Sequence, residues 1–189
     1  MFAITGSIGT GKSTISNIIK SLGYEIIDCD EIVHKLYQEN DVILKIEKLF
    51  PNVIENKTIN RKKLGQIIFN NSEEKKKLES LIHPLVRNKI KNKGRENRLI
   101  FVEVPLLYES KMEDMFAKVI CVACDKDIQV KRIMARNNIS KEETEKIIAS
   151  QMPIEEKIRL ADFVIYNNGD INKLIDETKK IINSIITNS

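Results

Sequence analysis

The stretch Gly6-Ser7-Ile8-Gly9-Thr10-Gly11-Lys12-Ser13 follows a short apolar start, Met1-Phe2-Ala3-Ile4. It satisfies G-x-x-x-x-G-K-[ST], and phosphate binding uses each part of that spacing. Glycines let the backbone turn tightly, so consecutive N–H groups face one anion. A helix opening at Lys12 directs its N-terminal dipole at the same point. The Lys12 ammonium then reaches the β- and γ-phosphates, and the Ser13 hydroxyl binds Mg²⁺. A chance glycine-rich turn is the competing reading. The apolar strand before it and the helix after it argue against that.

Working outward, five short runs rich in Ile, Val or Phe predict buried strands: Phe2–Thr5, Glu25–Asp28, Leu99–Val104, Lys118–Ala123 and Phe163–Tyr166. Helical patterns separate them, so the fold class is α/β, with a five-stranded parallel sheet sandwiched by helices. The first helix runs from Lys12 to Leu22 and ends at Gly23. From Asp30 to Arg98 there is no strand signal, only helical spacing: Ile32/Val33/Leu36/Tyr37, Val42/Ile43/Ile46/Leu49/Phe50, Leu64/Ile67/Ile68 and Leu78/Leu81/Ile82/Leu85/Val86/Ile90. That is too much chain for a simple crossover, so residues 31–98 read as an inserted helical lobe. A second helical insertion spans residues 126–160, with a capping box at Ser140-x-x-Glu143. The last helix runs from Ile171 to Ile186 on an apolar face of Ile171, Leu174, Ile175, Thr178, Ile181, Ile182 and Ile185. Residues 1–189 therefore read as a single domain carrying two insertions, and Glu73–Lys77 ("EEKKK") reads as a solvated helix face.

Composition narrows the partners. With 189 residues, 42% hydrophobic and 31% charged, the chain reads as a soluble domain. A formal charge of +4 suits small anionic substrates and falls short of a nucleic-acid binder. Seven of the 31 basic residues are arginines: Arg61, Arg87, Arg95, Arg98, Arg132, Arg136 and Arg159. Against a lysine-rich background, each Arg is a candidate for its planar fork, or else an ordinary surface cation. The first residues are too short and lack the basic start for a secretory signal, and no apolar run approaches the ~18 residues of a membrane span. The three cysteines then read as reduced and the chain as cytoplasmic. Cys121 and Cys124 sit in an alternating strand pattern, where residues three apart point to opposite faces, so they read as small buried residues and not as a redox or metal pair.

The remaining polar residues point to phosphoryl transfer. A GTPase would carry a base-reading N-K-x-D, and "NKGR" at Asn92 lacks the Asp and sits on a predicted helix. Asp28 and Asp30 end the second strand beside the phosphate loop, where strand ends face the ligand crevice. One carboxylate can orient an acceptor hydroxyl and take its proton, and Mg²⁺ can use the other. The alternative is a turn plus a helix cap, with Asp30 capping the helix at Glu31. Glu103, at the end of the third strand, is a candidate Mg²⁺-water ligand or a plain surface Glu. Arg132 and Arg136 lie i, i+4 on one helix of the second insertion and suit the charge of a transferring phosphoryl group. The alternative is a solvent-facing basic helix. A small phosphate-loop protein with two helical insertions looks like the small-molecule and nucleoside-monophosphate kinases, in which one insertion grips the acceptor and the other closes as a lid.

Over nearly its whole length, and in order, the chain resembles the dephospho-coenzyme A kinase family. The resemblance rests on "TGSIGTGKST", "IIDCDEIVHKLY", "INRKKLGQIIF", "LIHPLV", "VPLLYE", "QVKRIMAR" and "ADFVIYNNG". It implies the P-loop NTPase fold and transfer of a phosphoryl group from ATP, with Mg²⁺, to the ribose 3′-hydroxyl of dephospho-coenzyme A. It implies that Gly9, Thr10, Gly11, Lys12, Ser13 and Thr14 hold ATP, that Asp28 is the base with Asp30 beside it, and that Arg132, with Arg136, touches the phosphates. Asn168 and Gly169 match the turn beside the adenine. Arg61, His83 and Leu106 would help Asp28 bind the acceptor, 31–98 would be the acceptor-binding lobe and 126–160 the lid. For His83-Pro84, a proline kink with the His packed against it is the competing reading. The implied partners are the two small-molecule substrates, without nucleic acid or membrane, in a monomer or weak homo-oligomer. The family usually has "TGGIGSGK", so Ser7 and Thr10 depart from it at variable positions. Cys29 replaces the Ala of "D-A-D". An Asp-Gly usual before x-x-R is missing from "IENKTINR", which leaves that turn's geometry open. Two alternatives remain: a kinase of this fold with another acceptor, such as a nucleoside monophosphate or a shikimate-like alcohol, and a non-catalytic nucleotide switch.

Overall fold

The computed structural model describes residues 1–94 and 99–187. Arg95, Arg98 and the end of the first insertion at residue 98 lie outside the described residues. By contacts the chain divides into two compact units, residues 1–27 with 97–189, and residues 28–96.

The first unit is built on a sheet. Strands β1 (Phe2–Thr5), β2 (Glu25–Asp28), β5 (Ile100–Glu103), β6 (Lys118–Ala123) and β7 (Phe163–Tyr166) stand in the order β2-β5-β1-β6-β7. β1 pairs in parallel with β5 and β6, and β6 with β7. β5 is trimmed by one residue at each end relative to the predicted run 99–104. On one face Phe2, Ile4, Phe101, Ile120, Val122 and Ile165 pack against helix α1 (Lys12–Ser21) and helix α9 (Ile171–Thr187). The period of two explains the choice: Phe2 and Ile4 share that face, as do Ile120 and Val122. α9 presents Leu174, Thr178, Ile182 and Ile185 to the core, but Ile171, predicted on the same face, is 49% exposed because it begins the helix.

The segment between β6 and β7 forms α6 (Lys126–Asn137), α7 (Lys141–Ala149) and α8 (Ile154–Leu160), with α8 packed against β6 and α7 against α6. Ser140 and Glu143 cap each other's backbone N–H at the start of α7, as the sequence predicts. α8 is tied down by a buried cation. Lys157 is fully buried, donating to the Pro105 carbonyl at 3.0 Å and pairing with Glu109 at 2.9 Å. The other end of that carboxylate's work is local, since Glu109 Oε1 also accepts the Met152 N–H at 3.0 Å. One glutamate thus holds the loop after β5 to the α7–α8 turn at Met152 and to α8 at Lys157. Cys121 lies fully buried on β6, and burial pushes its thiol up to about 11.

The second unit is helical, as the spacing predicts: α2 (Cys29–Leu36), α3 (Asn40–Leu49), α4 (Arg61–Asn70) and α5 (Ser72–Lys93). α2, α4 and α5 meet in its core through Ile32, Leu36, Leu64, Leu78, Ile82 and Val86. Leu49, predicted on the apolar face of α3, is instead 41% exposed at its last turn. A two-stranded hairpin, β3 (Ile54–Glu55) with β4 (Thr58–Ile59), corrects the expectation of no strand in this region. Its turn residues, Asn56 and Lys57, have φ of 50° and 60°. A two-residue turn with both centres in the left-handed region is the hairpin-forming type, so Asn-Lys takes the geometry for which Asp-Gly is usual. Strands of two residues leave no periodic signal to read. Among the described residues, no helix is long and apolar enough to cross a membrane.

Removing one partner of the buried pair should cost far more than breaking a surface pair. Glu109→Ala is expected to lower unfolding free energy by about 3 kcal/mol, and Glu142→Ala, which breaks the exposed Lys146–Glu142 pair, by under about 0.5 kcal/mol, in urea titrations. The raised Cys121 thiol makes a second, pH-dependent expectation. Its stabilising effect is full below the ordinary thiol value of 9.0 and fades as pH rises towards about 11. From pH 8 to pH 10 the protein should lose about 1 kcal/mol more than Cys121→Ala does. Equal losses would refute it.

Candidate active site

The phosphate loop lies where no side chain fits. A Cβ on Gly6 would stand 2.2 Å from the Val122 carbonyl oxygen, one on Gly9 2.7 Å from Ile133 Cγ1, and one on Gly11 2.0 Å from Asn167 Nδ2. Gly6, Gly9 and Gly11 also have φ of 146°, 78° and 93°. The backbone therefore runs hard against β6, α6 and the turn after β7, and Gly11 heads α1 from the left-handed region. A helix N-terminus reached by such a glycine turn is the kind of place that suits an anion.

Lys12, only 9% exposed, curls back over this loop and donates to the Gly6 and Ser7 carbonyls, each at 3.0 Å. The Ser7 carbonyl also accepts the Thr10 hydroxyl at 2.9 Å. A hydroxyl at position 10 therefore fastens the loop, and threonine supplies it as serine would. Position 7 acts through its carbonyl, which every residue has. Ser13 is exposed on the first turn of α1, next to Thr14. Glu103, at the end of β5, accepts the Ser16 hydroxyl at 2.6 Å, so it is anchored to α1 and is not a plain surface Glu.

Three amide side chains that sequence reasoning passed over hold the loop from outside. Gln129 Nε2 donates to the Ile8 carbonyl at 2.7 Å, and Gln151 Oε1 accepts the Ile8 N–H at 2.9 Å. Asn167 Nδ2 donates to the Thr10 carbonyl at 3.0 Å. The available signal was polarity at buried helical positions, since Gln129 shares a turn of α6 with Val130 and Ile133 yet is 4% exposed. Asn168, singled out from sequence, does other work: its amide brackets Asp125, accepting the N–H at 2.9 Å and donating to the carboxylate at 3.0 Å. Gly169 has φ of 118° with open space around its Cβ position, so the turn needs glycine for its backbone alone.

Arg132 and Arg136 both ride on α6, but in different surroundings. Arg132 is half-buried, with Nη2 donating to Asn167 Oδ1 at 3.3 Å and a buried Nη1 that has no hydrogen-bond partner among the described residues. Such a buried cationic donor awaits an acceptor. Arg136 is exposed, its Nε donating to Asn137 Oδ1 at 3.0 Å. Burial pushes the Cys124 thiol up, against the pull of the Arg132 charge. Beside the loop a cavity of about 580 Å³ is lined by Ser7, Cys124, Gln129, Ile148, Gln151 and Ile154. Leu106, 40% exposed, follows β5.

Asp28, Asp30, Arg61 and His83 belong to the second unit. β2 ends at Asp28, and Asp30 lies in the first turn of α2, so the two carboxylates do not share a strand face. The cap is Asp28 and not Asp30: its Oδ1 accepts the N–H groups of Asp30 and Glu31 at 2.8 and 3.4 Å. An extended Asp before a helix caps it, and the chain turns helical at Cys29, two residues earlier than expected. Arg61 opens α4 with its guanidinium 5.3 Å from the Tyr37 ring centre. His83 is half-buried on α5, which runs on as one helix through Pro84, and burial pushes its imidazole below the ordinary value. Among the described residues no group of three or more His, Cys, Asp or Glu could hold a metal.

The dephospho-CoA kinase family model matches residues 1–173. Dephospho-CoA kinase of Campylobacter jejuni is 41% identical over 97% of this chain and 96% of its own length. That of Listeria innocua is 36% identical over 98% and 96%. A solved dephospho-CoA kinase from Campylobacter jejuni superposes with a TM-score of 0.74, at 40% identity over 97% of this chain and 96% of that one. A Thermus thermophilus crystal structure reaches 0.88, at 31% identity over 97% and 95%. Shikimate kinase from Acinetobacter baumannii, at 18% identity and a TM-score of 0.58 over 100% and 93%, shares the fold. A glycine loop closed against its neighbours, a lysine curled within it and this end-to-end likeness converge: the chain belongs to the dephospho-CoA kinase family of P-loop kinases, which phosphorylate dephospho-CoA to CoA with ATP, the last step of CoA biosynthesis.

Proposed function

We propose that this chain transfers the terminal phosphoryl group of ATP to the ribose 3′-hydroxyl of dephospho-CoA. Gly9, Thr10, Gly11, Lys12, Ser13 and Thr14 cradle the ATP triphosphate. The observation that carries this reading is the loop itself, three glycines with no room for a Cβ and a Lys12 ammonium lying on two loop carbonyls. On binding, that ammonium exchanges the Gly6 and Ser7 carbonyls for phosphate oxygens, at little cost because one charge-assisted set replaces a weaker one. Arg132, with its unpartnered Nη1, and Arg136 stabilise the charge on the transferring group. Asn168 and Gly169 form the turn beside the adenine.

Asp28 is the base. Its Oδ1 is held by the first N–H groups of α2, which fixes the carboxylate and leaves Oδ2 to take the 3′-hydroxyl proton. Asp30 stands one residue on, in the same first turn. Arg61, His83 and Leu106 bind the acceptor, residues 31–98 act as its lobe, and residues 126–160 as the lid. Ser13 and Glu103 offer the hydroxyl and carboxylate oxygens that suit Mg²⁺, a hard cation that keeps several waters and shares its shell with substrate phosphates. A Mg²⁺ held by these residues would supply charge neutralisation to the triphosphate. The mild charge of +4 fits small anionic substrates, and the reading is of a cytoplasmic enzyme, monomeric or weakly self-associating, without nucleic-acid or membrane partners.

Asp28→Asn tests the base cleanly, because Asn caps a helix as well as Asp. Affinity for ATP by calorimetry should stay within about twofold while kcat falls roughly 10³-fold. Asp30→Asn should retain more activity. Unchanged turnover in Asp28→Asn would remove Asp28 from the role.

A further inference from the structure

We infer that Asn167 is a positioning residue that registers Arg132 with the phosphate loop. Its place in the chain is fixed by the sheet, since its own N–H donates to the Ala123 carbonyl at 2.8 Å, at the end of β6. From there its side chain, in a residue 6% exposed, works in both directions at once. Nδ2 donates to the Thr10 carbonyl at 3.0 Å, and Oδ1 accepts from Arg132 Nη2 at 3.3 Å.

The geometry leaves few other residues able to do this. The carbonyl of the loop needs a donor and the guanidinium needs an acceptor, and a primary amide is the small side chain that offers both. Asp cannot donate to Thr10, and Leu can serve neither partner. Gln is longer by a methylene, and the space is already spent: Nδ2 occupies the site where a Cβ on Gly11 would stand, 2.0 Å away. Gly11 and Asn167 therefore form a matched pair, the missing side chain of one admitting the amide of the other. The neighbouring Asn168 is bound to Asp125 and cannot substitute. Through Oδ1 the amide holds one arm of the guanidinium, so the buried, unpartnered Nη1 keeps a fixed distance from the loop that Nδ2 grips. A fixed donor needs no reorganisation as charge develops, which is the source of its value in a transition state.

This inference rests on the proposed contact of Arg132 with the phosphates, and a double-mutant cycle separates the two. Arg132→Ala, Asn167→Ser, Asn167→Asp and the double variant Arg132→Ala/Asn167→Ser are assayed by ADP release, with melting temperatures measured alongside. Arg132→Ala should lower kcat by roughly a hundredfold, and Asn167→Ser alone by roughly tenfold. In the Arg132→Ala background the same Asn167→Ser change should have almost no further effect on kcat, since its target is gone. Asn167→Asp, equal in size, should bind Arg132 but lose the loop, lowering kcat and raising KM for ATP; it carries the test should the Ser variant fold poorly. Full additivity in the cycle, or a lower melting temperature with kcat intact, would overturn the positioning role. An intact kcat in Arg132→Ala would instead sink the proposed phosphate contact.

Discussion

The rest of the molecule depends on one steric constraint, the closeness with which the phosphate loop passes its neighbours. Gly6 touches the Val122 carbonyl, Gly9 touches Ile133, and Gly11 touches Asn167. Three separate elements, β6, α6 and the turn after β7, thus meet a single loop at van der Waals contact or closer than any side chain permits. A loop so enclosed cannot wander. Its backbone is held in place without help from a ligand, which lowers the ordering cost when an anion arrives.

Enclosure has an electrostatic counterpart. A loop with buried peptide groups must have them satisfied. Some bonds are internal, as with Thr10 and Lys12 on the Ser7 carbonyl. Others come from Gln129, Gln151 and Asn167, three amides on three different segments. Amides suit this work because they give and accept hydrogen bonds while adding no charge to a site that must attract phosphate. The positive charge within the loop is the Lys12 ammonium. Lys157 of α8 is paired with Glu109, and the Arg132 guanidinium lies beside the Cys124 thiol and donates to Asn167.

Much of this was legible beforehand because it repeats at a fixed period or spacing. The apolar runs at Phe2–Thr5 and Lys118–Ala123 alternate on a sheet, and the three-four spacing from Leu78 to Ile90 winds a helix, so strands and helices followed from the order of residues alone. The capping box at Ser140 and Glu143 is equally local. What escaped was non-local or too short. Two-residue strands at Ile54–Glu55 and Thr58–Ile59 have no period. Ile171 and Leu49 fit apolar faces but lie at helix ends, where the face runs out of partners. Asp30 looked like the cap because the helix was expected to begin after it. The observed helix starts at Cys29, which hands the cap to Asp28.

By itself the sequence determined the α/β order, the glycine-lysine cradle, the two helical insertions and the resemblance that named a reaction, because each depends on residue type and spacing along the chain. Tertiary structure alone decided which of two adjacent asparagines grips the loop. Asn167 and Asn168 are the same residue type one position apart, and only the path of the turn after β7 sends one amide to Thr10 and the other to Asp125. It likewise distinguished Arg132 from Arg136, which spacing had made equivalent: one helix face slopes from the buried loop out to solvent, and four residues, about 6 Å of rise, carry the second guanidinium beyond it.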